Sequence, residues 1–245
     1  MTNSNTMGLL DFPVQENNQD EKTHKKQKII RNEFLRTSRS KLGIPLVKRQ
    51  NIDLKNLEPW GYSKTKADDA ENADKIIHFF TYDWNFETVY NKPEAALEKL
   101  SQYYAVMTPE FSTYKDMPLV LQMNSVFKNR WCGAFWQKQG LRVIPTITWG
   151  TPDSYAFCFE GVEQGSIVAV STYAREDNER GFMDGYNRML EAIRPSAIIC
   201  YGEPLQAMRG NIKVLSPYNH EELIAKMGLR QYMDKYFAGD LYPSN

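Results

Sequence analysis

Short runs of apolar residues, many of them β-branched, recur from about residue 43 and alternate with longer segments of helical periodicity. Several runs are apolar without interruption, which is typical of strands that are covered on both faces in a parallel sheet. The pattern therefore predicts an α/β fold of repeated βα units with a mainly parallel sheet. The predicted strands lie at residues 44–47, 76–80, 104–107, 142–147, 167–170, 197–200 and 212–215.

The helices between these strands are marked by apolar faces and by boundary residues. Phe182, Tyr186 and Met189 share one face of a helix that ends before Pro195, and Pro93 fits the first turn of another helix. Seven strands joined in this way form either an incomplete (β/α) barrel or an open doubly wound sheet. Their spacing along the chain does not distinguish these two architectures.

Charge divides the chain into two parts. Residues 22–49 contain ten Lys and Arg against one acid, Glu33, although the whole chain has a net charge of zero. We predict a flexible, polar and basic N-terminal arm at residues 1–42 and a single α/β domain at residues 43–245. The arm either remains solvated or binds nucleic acid through the backbone phosphates. The predicted nucleic-acid-binding residues are Lys22, Lys25, Lys26, Lys28, Arg31, Arg36 and Arg39.

A small apolar cluster, formed by Leu9, Leu10 and Phe12, interrupts the polar start of the chain. Apolar side chains in such a segment either dock on the protein's own domain or bind another protein. These three residues are therefore the predicted contact for a protein partner.

Composition and missing motifs exclude several classes of protein. No apolar run reaches the roughly 20 residues of a membrane-spanning helix, and the first residues lack a signal-peptide pattern, so we expect a cytoplasmic protein without membrane contact. Cys132, Cys158 and Cys200 lie in apolar surroundings without a CxxC pair, which predicts buried thiols. The chain lacks the phosphate-loop and dinucleotide-binding motifs, so no nucleotide cofactor is expected. His78 lies inside an apolar strand and is predicted to be a core residue.

Several segments resemble the motifs of a known family. The stretches IIHFFTYDWNFE, MTPEFSTYKDMPLVLQ, FCFEGVEQGS and AIICYGEP are similar to the family called domain of unknown function 4417, over roughly residues 44–217. The resemblance implies an origin in a phage, plasmid or other mobile element, and it implies no established activity. Family members usually carry paired acids in the first motif and Asp-Phe-Ser in the second. This chain has Tyr82-Asp83 and Glu110-Phe111-Ser112 at those places.

Polar and aromatic residues follow the predicted strands directly. Ligands of parallel α/β folds bind at the carboxyl ends of the strands, so these residues are the candidates for a site. Asp83, Glu110 and Glu203 are carboxylates in such positions, and we predict that they are catalytic and hold Mg²⁺ or Mn²⁺ through their oxygen atoms. The predicted substrate-binding residues are Tyr82, Ser112, Trp149, Ser171 and Tyr201.

Two functions are compatible with these features. The first is a mobile-element enzyme that uses a divalent metal on a phosphate-bearing substrate, a nucleotide or a nucleic acid held by the basic arm. The second is a noncatalytic protein that binds a host or phage protein through its N-terminal arm. Each predicted acid can equally cap a helix or pair with a cation such as Arg130 or Arg142, so the sequence leaves enzymatic activity open.

Overall fold

Seven parallel strands form the framework of the part of the protein that the structure describes. The computed structural model describes residues 30–55, 57–66, 72–172 and 179–215. Every strand pairing between these residues is parallel, which confirms the predicted α/β fold. The strands in the described part of the chain are β1 (Glu58–Gly61), β2 (Lys75–His78), β3 (Ala105–Met107), β4 (Val143–Ile144), β5 (Ile167–Ser171), β6 (Ala197–Tyr201) and β7 (Ile212–Leu215).

The strands lie side by side in the order in which they occur along the chain. β1 to β4 form one ladder and β5 to β7 form another. A parallel bridge between Thr146 and Ala169 links the two ladders, and the amide of Ile147 donates to the carbonyl of Ala169 at 2.8 Å. A doubly wound sheet reverses its strand order at a switch point, whereas this order does not reverse. The topology therefore favours the incomplete (β/α) barrel, and the described residues do not close it.

Helices lie between most of the described strands, and they include the predicted helix that starts at Pro93 and the predicted helix that ends before Pro195. α1 (Thr88–Asn91) and α2 (Pro93–Leu100) lie between β2 and β3, and α3 (Leu119–Lys138) lies between β3 and β4. α4 (Tyr155–Cys158) precedes β5, and α5 (Glu179–Ile193) connects β5 to β6. Pro93 occupies the first turn of α2, where its missing N–H costs no hydrogen bond. No helix among the described residues combines the length and apolar character needed to cross a membrane.

The two faces of the sheet have separate apolar cores. On one face, Ile77 and Val106 belong to a cluster with α1 to α3, and Val168 and Ile198 belong to a cluster with α5. The opposite face has one shared core, to which the strands contribute Ile76, Ala105, Met107, Ile144, Ala169, Ile199 and Leu215. Since side chains from β2 through β7 meet in this core, the sheet curves around it in the manner of a barrel interior.

The segment before β1 differs from its predicted form. Residues 44–47 are not a strand, because Val47 alone forms a parallel bridge, with Val162. Ile44 and Val47 are nevertheless buried, which explains the apolar run. The strand that the sequence pattern missed is β1, whose residues EPWG include proline and glycine and therefore resemble a turn. The predicted division into an arm and a domain stays a prediction, since residues 1–29 and 216–245 lie outside the described residues.

Candidate functional site

A cavity of about 240 Å³ lies at the carboxyl ends of β3, β4 and β5. Three predicted site residues line it: Glu110 from the loop after β3, Trp149 from the loop after β4, and Ser171 from the end of β5. The parallel order of adjacent strands brings these side chains together although they are far apart in the sequence. We call this space the strand-end cavity. Its other lining residues are Thr113, Tyr114, Lys115, Asp116, Ile147, Thr148, Gly150, Gly181 and Phe182.

The lining of the strand-end cavity combines a flat aromatic wall with a few charged groups. Trp149 is buried and packs on Phe182, with 5.1 Å between the ring centroids. Glu110 is half-buried, whereas Lys115 and Asp116 are exposed. An apolar surface with a small number of polar groups is the usual composition of a small-molecule site.

Trp149 reaches its position because α5 carries a glycine beside it. A Cβ atom added at Gly185 would lie 2.2 Å from the indole Nε1 of Trp149, a distance that no side chain tolerates. The ring of Trp149 also contacts Phe159, with the centroids 6.1 Å apart. The wall of the cavity therefore depends on close packing between the loop after β4 and the backbone of α5.

A set of buried polar side chains supports the loops that line the cavity. Thr108 donates to the Oδ1 atom of Asn129 at 2.8 Å, and its hydroxyl accepts the amide of Thr146 at 2.7 Å. Asn129 in turn donates to the carbonyl of Pro109 at 2.7 Å. We call these residues together with Arg130 the buried polar cluster. Its bonds fix the backbone just after β3 and just after β4.

Arg130 is the charged member of the buried polar cluster, and its side chain is almost fully buried. The guanidinium donates to the carbonyl of Thr146 at 2.9 Å, to that of Cys158 at 2.9 Å and to that of Glu160 at 3.1 Å. It also donates to the Oδ1 atom of Asn129. Burial lowers the pKa of Arg130 to about 10, so the group stays protonated at neutral pH. These bonds join α3 to the segment around α4.

Two predicted site residues bind each other at the ends of β2 and β3. One carboxylate oxygen of Asp83 accepts the amide of Ser112 at 3.0 Å, and the other accepts its hydroxyl at 2.8 Å. Because Ser112 lies two residues after Glu110, Asp83 helps to hold the loop that enters the strand-end cavity. Glu203 is exposed in the loop after β6. Within the described residues, no group of three or more His, Cys, Asp or Glu side chains is placed to hold a metal ion, so the metal site stays a prediction.

Aromatic side chains from β2 and β6 face each other inside the curved sheet. Tyr201 stacks on Phe80 with 4.4 Å between ring centroids and contacts His78 at 4.9 Å. Tyr201 is also the direct strand partner of Ser171 in the β5–β6 ladder, which places it beside the cavity lining. The predicted substrate-binding residues Ser171 and Tyr201 are therefore neighbours.

His78 is a half-buried member of this aromatic group, as expected for a core residue. Its Nδ1 atom accepts the amide of Phe80 at 3.4 Å, which favours the tautomer with the proton on Nε2. Burial, together with the charge of Lys64, lowers the pKa of His78 to about 4. His78 is therefore neutral at physiological pH.

Tyr82, a further predicted substrate-binding residue, lies on the surface. Tyr82 is 63% exposed, and its ring stacks on that of Trp84, a residue that is 71% exposed. The ring centroids are 4.4 Å apart and the ring planes differ by 9°. We call this the surface aromatic pair. It stands on the same turn as Asp83, between β2 and α1.

The predicted nucleic-acid-binding cations fall into three groups. Arg31 packs on the domain: its guanidinium lies 4.6 Å from the ring centroid of Tyr90 and 4.2 Å from that of Trp131, and it donates to the carbonyl of Tyr90 at 2.6 Å. Arg36 and Arg39 are exposed. The remaining cations, Lys22, Lys25, Lys26 and Lys28, lie outside the described residues, as do Leu9, Leu10 and Phe12.

The three cysteines are free and buried, as predicted. Burial raises the pKa of Cys158 and of Cys200 to about 11, and it raises that of Cys132 further still. The thiols are therefore protonated at neutral pH and poor nucleophiles.

Sequence patterns missed the residues that position the site. Asn129 and Arg130 lie on α3 among large aromatic residues, and a charged side chain in a helix is ordinarily expected to face solvent. Gly185 interrupts the periodic pattern of α5 without any turn to explain it. A glycine at the buried face of a helix was the one available signal of a close contact.

The fold and the cavity together define a parallel (β/α) protein with a candidate ligand site at the carboxyl ends of its strands. Residues 36–219 match the family described as a domain of unknown function, DUF4417. The chain belongs to this family, which confirms the resemblance deduced from the motifs.

Two relatives connect the chain to bacteriophages. The chain is 37% identical over 151 residues to the Gene 1 protein of Mycobacterium phage L5, an alignment that covers 60% of this chain and 65% of that protein. It is 36% identical over 150 residues to the Gene 1 protein of Mycobacterium phage D29, covering 60% of this chain and 55% of that protein. The chain thus spans less than two thirds of the length of these relatives. No solved structure matches the chain.

Proposed function

We propose that this protein is an enzyme of a phage or related mobile element that acts on a phosphate-bearing substrate, a nucleotide or a nucleic acid. The observation that carries the proposal is the convergence of Glu110, Trp149 and Ser171 on one cavity at the carboxyl ends of parallel strands. This is the end at which (β/α) barrels bind substrate. A volume of about 240 Å³ is small for a ligand site, so the cavity would accept the reacting part of a nucleotide rather than a length of polymer.

Each lining residue has a role that its chemistry suits. The face of Trp149 would pack on a base or sugar, and the hydroxyl of Ser171 would donate to an oxygen of the substrate. The exposed Lys115 would attract the phosphate. Glu110 is half-buried and would exchange a proton with the reacting group as general acid or base.

The proposal includes a divalent cation, Mg²⁺ or Mn²⁺. Magnesium is commonly bound by one or two carboxylates, with water and substrate phosphates supplying the other oxygen ligands. Glu110 and Asp116 both line the strand-end cavity, so they are the carboxylates available to a cation that arrives with the substrate. Asp83 and Glu203 remain proposed ligands from the sequence, with Asp83 also holding Ser112.

Thermal unfolding of the full chain tests the proposal. Nucleoside mono-, di- and triphosphates are added one at a time, each with and without Mg²⁺ or Mn²⁺. A ligand at about 100 times its Kd stabilises the folded state by about 2.7 kcal/mol, which raises the Tm of a chain of this size by roughly 5–10 °C. We expect such a rise for at least one nucleotide, and we expect the metal to increase it.

Matched variants assign the effect to the cavity. Glu110→Gln and Ser171→Ala should abolish most of the rise, whereas Glu98→Gln, which changes an exposed carboxylate on α2, should leave it unchanged. Equal rises in all three variants would place the nucleotide elsewhere. Turnover is then sought by chromatography of the nucleotide after incubation with the wild-type chain.

A noncatalytic role is the second proposed function, and exposed apolar residues at the start of α3 favour it. Leu119, Val120 and Leu121 are 42%, 69% and 49% exposed, respectively. Contiguous exposed apolar residues often mark a contact with another protein. A protein that acts only by binding a host or phage protein, there or through its N-terminal arm, would show no stabilisation by any nucleotide in the same titration.

A further inference from the structure

We propose that the surface aromatic pair, Tyr82 and Trp84, binds unpaired bases of a single-stranded nucleic acid whose phosphates contact the basic arm. The inference rests on the proposed function in one respect: the bound strand is the substrate, and one of its nucleotides enters the strand-end cavity. It narrows that substrate from any phosphate-bearing molecule to single-stranded nucleic acid.

The exposure and the geometry of the pair suit it to stacking on bases. Tyr82 and Trp84 are 63% and 71% exposed, whereas tryptophan is normally among the best-covered residues of a protein. Their rings are stacked and nearly parallel, with an angle of 9° between the ring planes. In this arrangement the outer face of each ring is directed away from the other ring. Flat, exposed aromatic faces bind bases by stacking and do so with little dependence on base identity.

The pair stands on a turn that hydrogen bonds and packing hold in place. The amide of Asn85 donates to the carbonyl of Tyr82 at 2.9 Å, and the side chain of Asn85 donates to the hydroxyl of Thr81 at 2.9 Å. Phe86 follows directly and is fully buried, packing on Phe111 with the ring centroids 5.2 Å apart. The rings are therefore held in place before any ligand arrives, which reduces the entropy lost on binding.

Asp83 connects the pair to the loop that lines the strand-end cavity. Asp83 lies between the two aromatic residues and accepts two hydrogen bonds from Ser112. Ser112 immediately precedes Thr113, the first of four consecutive residues in the cavity lining. A strand stacked on the pair is thus next to the loop that enters the cavity.

Arg31 holds the start of the described chain against the domain near the pair. Arg31 is held against Tyr90, which follows Trp84 by six residues and so lies within about 20 Å of it along the chain. Lys22 to Lys28 precede Arg31 by three to nine residues, a reach of at most about 30 Å. Residues 22–28 contain four lysines and no Phe, Tyr or Trp, so the pair provides a stacking surface that this basic stretch does not have.

Fluorescence anisotropy of the full chain with fluorescein-labelled oligodeoxythymidylate of about 16 nucleotides tests the inference, alongside a duplex of the same length. Trp84→Leu keeps an apolar side chain but removes the ring, and we expect it to weaken single-strand binding about 5- to 100-fold. Trp84→Phe should restore most of the affinity. Duplex binding should not respond to either variant, because paired bases cannot stack on protein rings.

Further variants separate stacking from charge. Val120→Ala changes another strongly exposed apolar residue and should leave single-strand affinity unchanged. Lys25→Gln with Lys26→Gln should lower the slope of log affinity against log salt concentration by about 1.4. Trp84→Leu should leave that slope unchanged, because stacking releases no counterions.

The outcomes distinguish this inference from the proposed function. Equal single-strand affinity of the wild type and Trp84→Leu, equal losses in Trp84→Leu and Trp84→Phe, or the absence of oligonucleotide binding would each overturn the inference. Nucleotide-dependent stabilisation that requires Glu110 would persist in those cases if the proposed function is correct. Conversely, ring-dependent strand binding without any nucleotide effect at Glu110 would retain the stacking site and overturn the catalytic proposal.

Discussion

The buried polar cluster and the strand-end cavity involve neighbouring residues of the same two loops. Some of these residues are bonded to the cluster, and others line the cavity. After β3, the carbonyl of Pro109 is bonded to Asn129, whereas the next residue, Glu110, lines the cavity. After β4, the carbonyl of Thr146 is bonded to Arg130, whereas Thr148 lines the cavity. The residues of the cluster are buried and hydrogen-bonded to one another, whereas the cavity offers space to a ligand. The difference shows that the residues which fix a site and those which use it alternate within a few positions of sequence.

Replacing Arg130, the charged member of the buried polar cluster, should lower the stability of the protein more than any other change considered below. Arg130→Met should destabilise the protein by about 3–5 kcal/mol, because it removes three hydrogen bonds from the buried guanidinium to the carbonyls of Thr146, Cys158 and Glu160. Urea unfolding measures the change. Arg142→Met is the matched control, since Arg142 is exposed and lies over the ring of Tyr104; its effect should stay within about 0.5 kcal/mol. Comparable losses in the two variants would contradict the role assigned to the cluster.

A pH titration tests the burial of His78 inside the curved sheet. The pKa of His78 is about 4 in the folded protein, below the ordinary value of about 6.5. The folded state therefore resists protonation, so the stability due to His78 is complete above pH 6.5 and is lost as the pH falls towards 4. The loss amounts to at most about 3 kcal/mol.

His78→Gln isolates that contribution from the other groups that titrate in the same range. The difference in unfolding free energy between the wild type and His78→Gln should shrink as the pH falls from 7 to 4.5. A difference that is independent of pH would mean that His78 is as easily protonated in the folded state as in the unfolded state.

A single methyl group tests the packing of the cavity wall. Gly185→Ala places a Cβ 2.2 Å from Trp149 and should destabilise the protein by about 1–3 kcal/mol. The same exchange at an unconstrained helical position would stabilise it by about 1 kcal/mol. The sign of the change in thermal unfolding is therefore diagnostic. Adding Trp149→Leu should relieve the clash, so that the double variant loses less than the sum of the two single variants.

The smallest expected effect concerns the bond between two loops at the cavity. Asp83→Asn and Ser112→Ala each remove part of the Asp83–Ser112 contact, and their double-mutant cycle should give a coupling of about 1 kcal/mol. Urea unfolding of the two single variants and the double variant provides the cycle. Additive losses would show that the two residues contribute independently and that Asp83 does not hold the loop.

The sequence predicted the repeated βα units because six of the seven described strands contain short apolar runs with β-branched residues. It could not choose between barrel and open sheet, since the choice depends on which strands are neighbours and not on their spacing. It missed β1 because Pro59 and Gly61 are poor strand residues. The prediction of a strand at residues 44–47 was wrong, because burial against the domain produces the same apolar run as a strand does.

The candidate site was predictable in part. The rule that strand ends carry the site identified Glu110, Trp149 and Ser171, which the structure brings to one cavity. It also identified Asp83 and Ser112, which bind each other. The same rule does not identify buried residues that support these loops through hydrogen bonds to the loop backbone. Arg130 supports the site from the middle of α3, where its environment is set by contacts far away in sequence.

Hydrogen–deuterium exchange of the full chain, with the nucleotide that gives the largest rise in Tm, tests the central claim most directly. Binding in the strand-end cavity predicts slower exchange at residues 110–116, 147–150 and 181–182, with little change in the buried polar cluster, which is already protected. Unchanged exchange in these three segments, or protection confined to other parts of the chain, would contradict it.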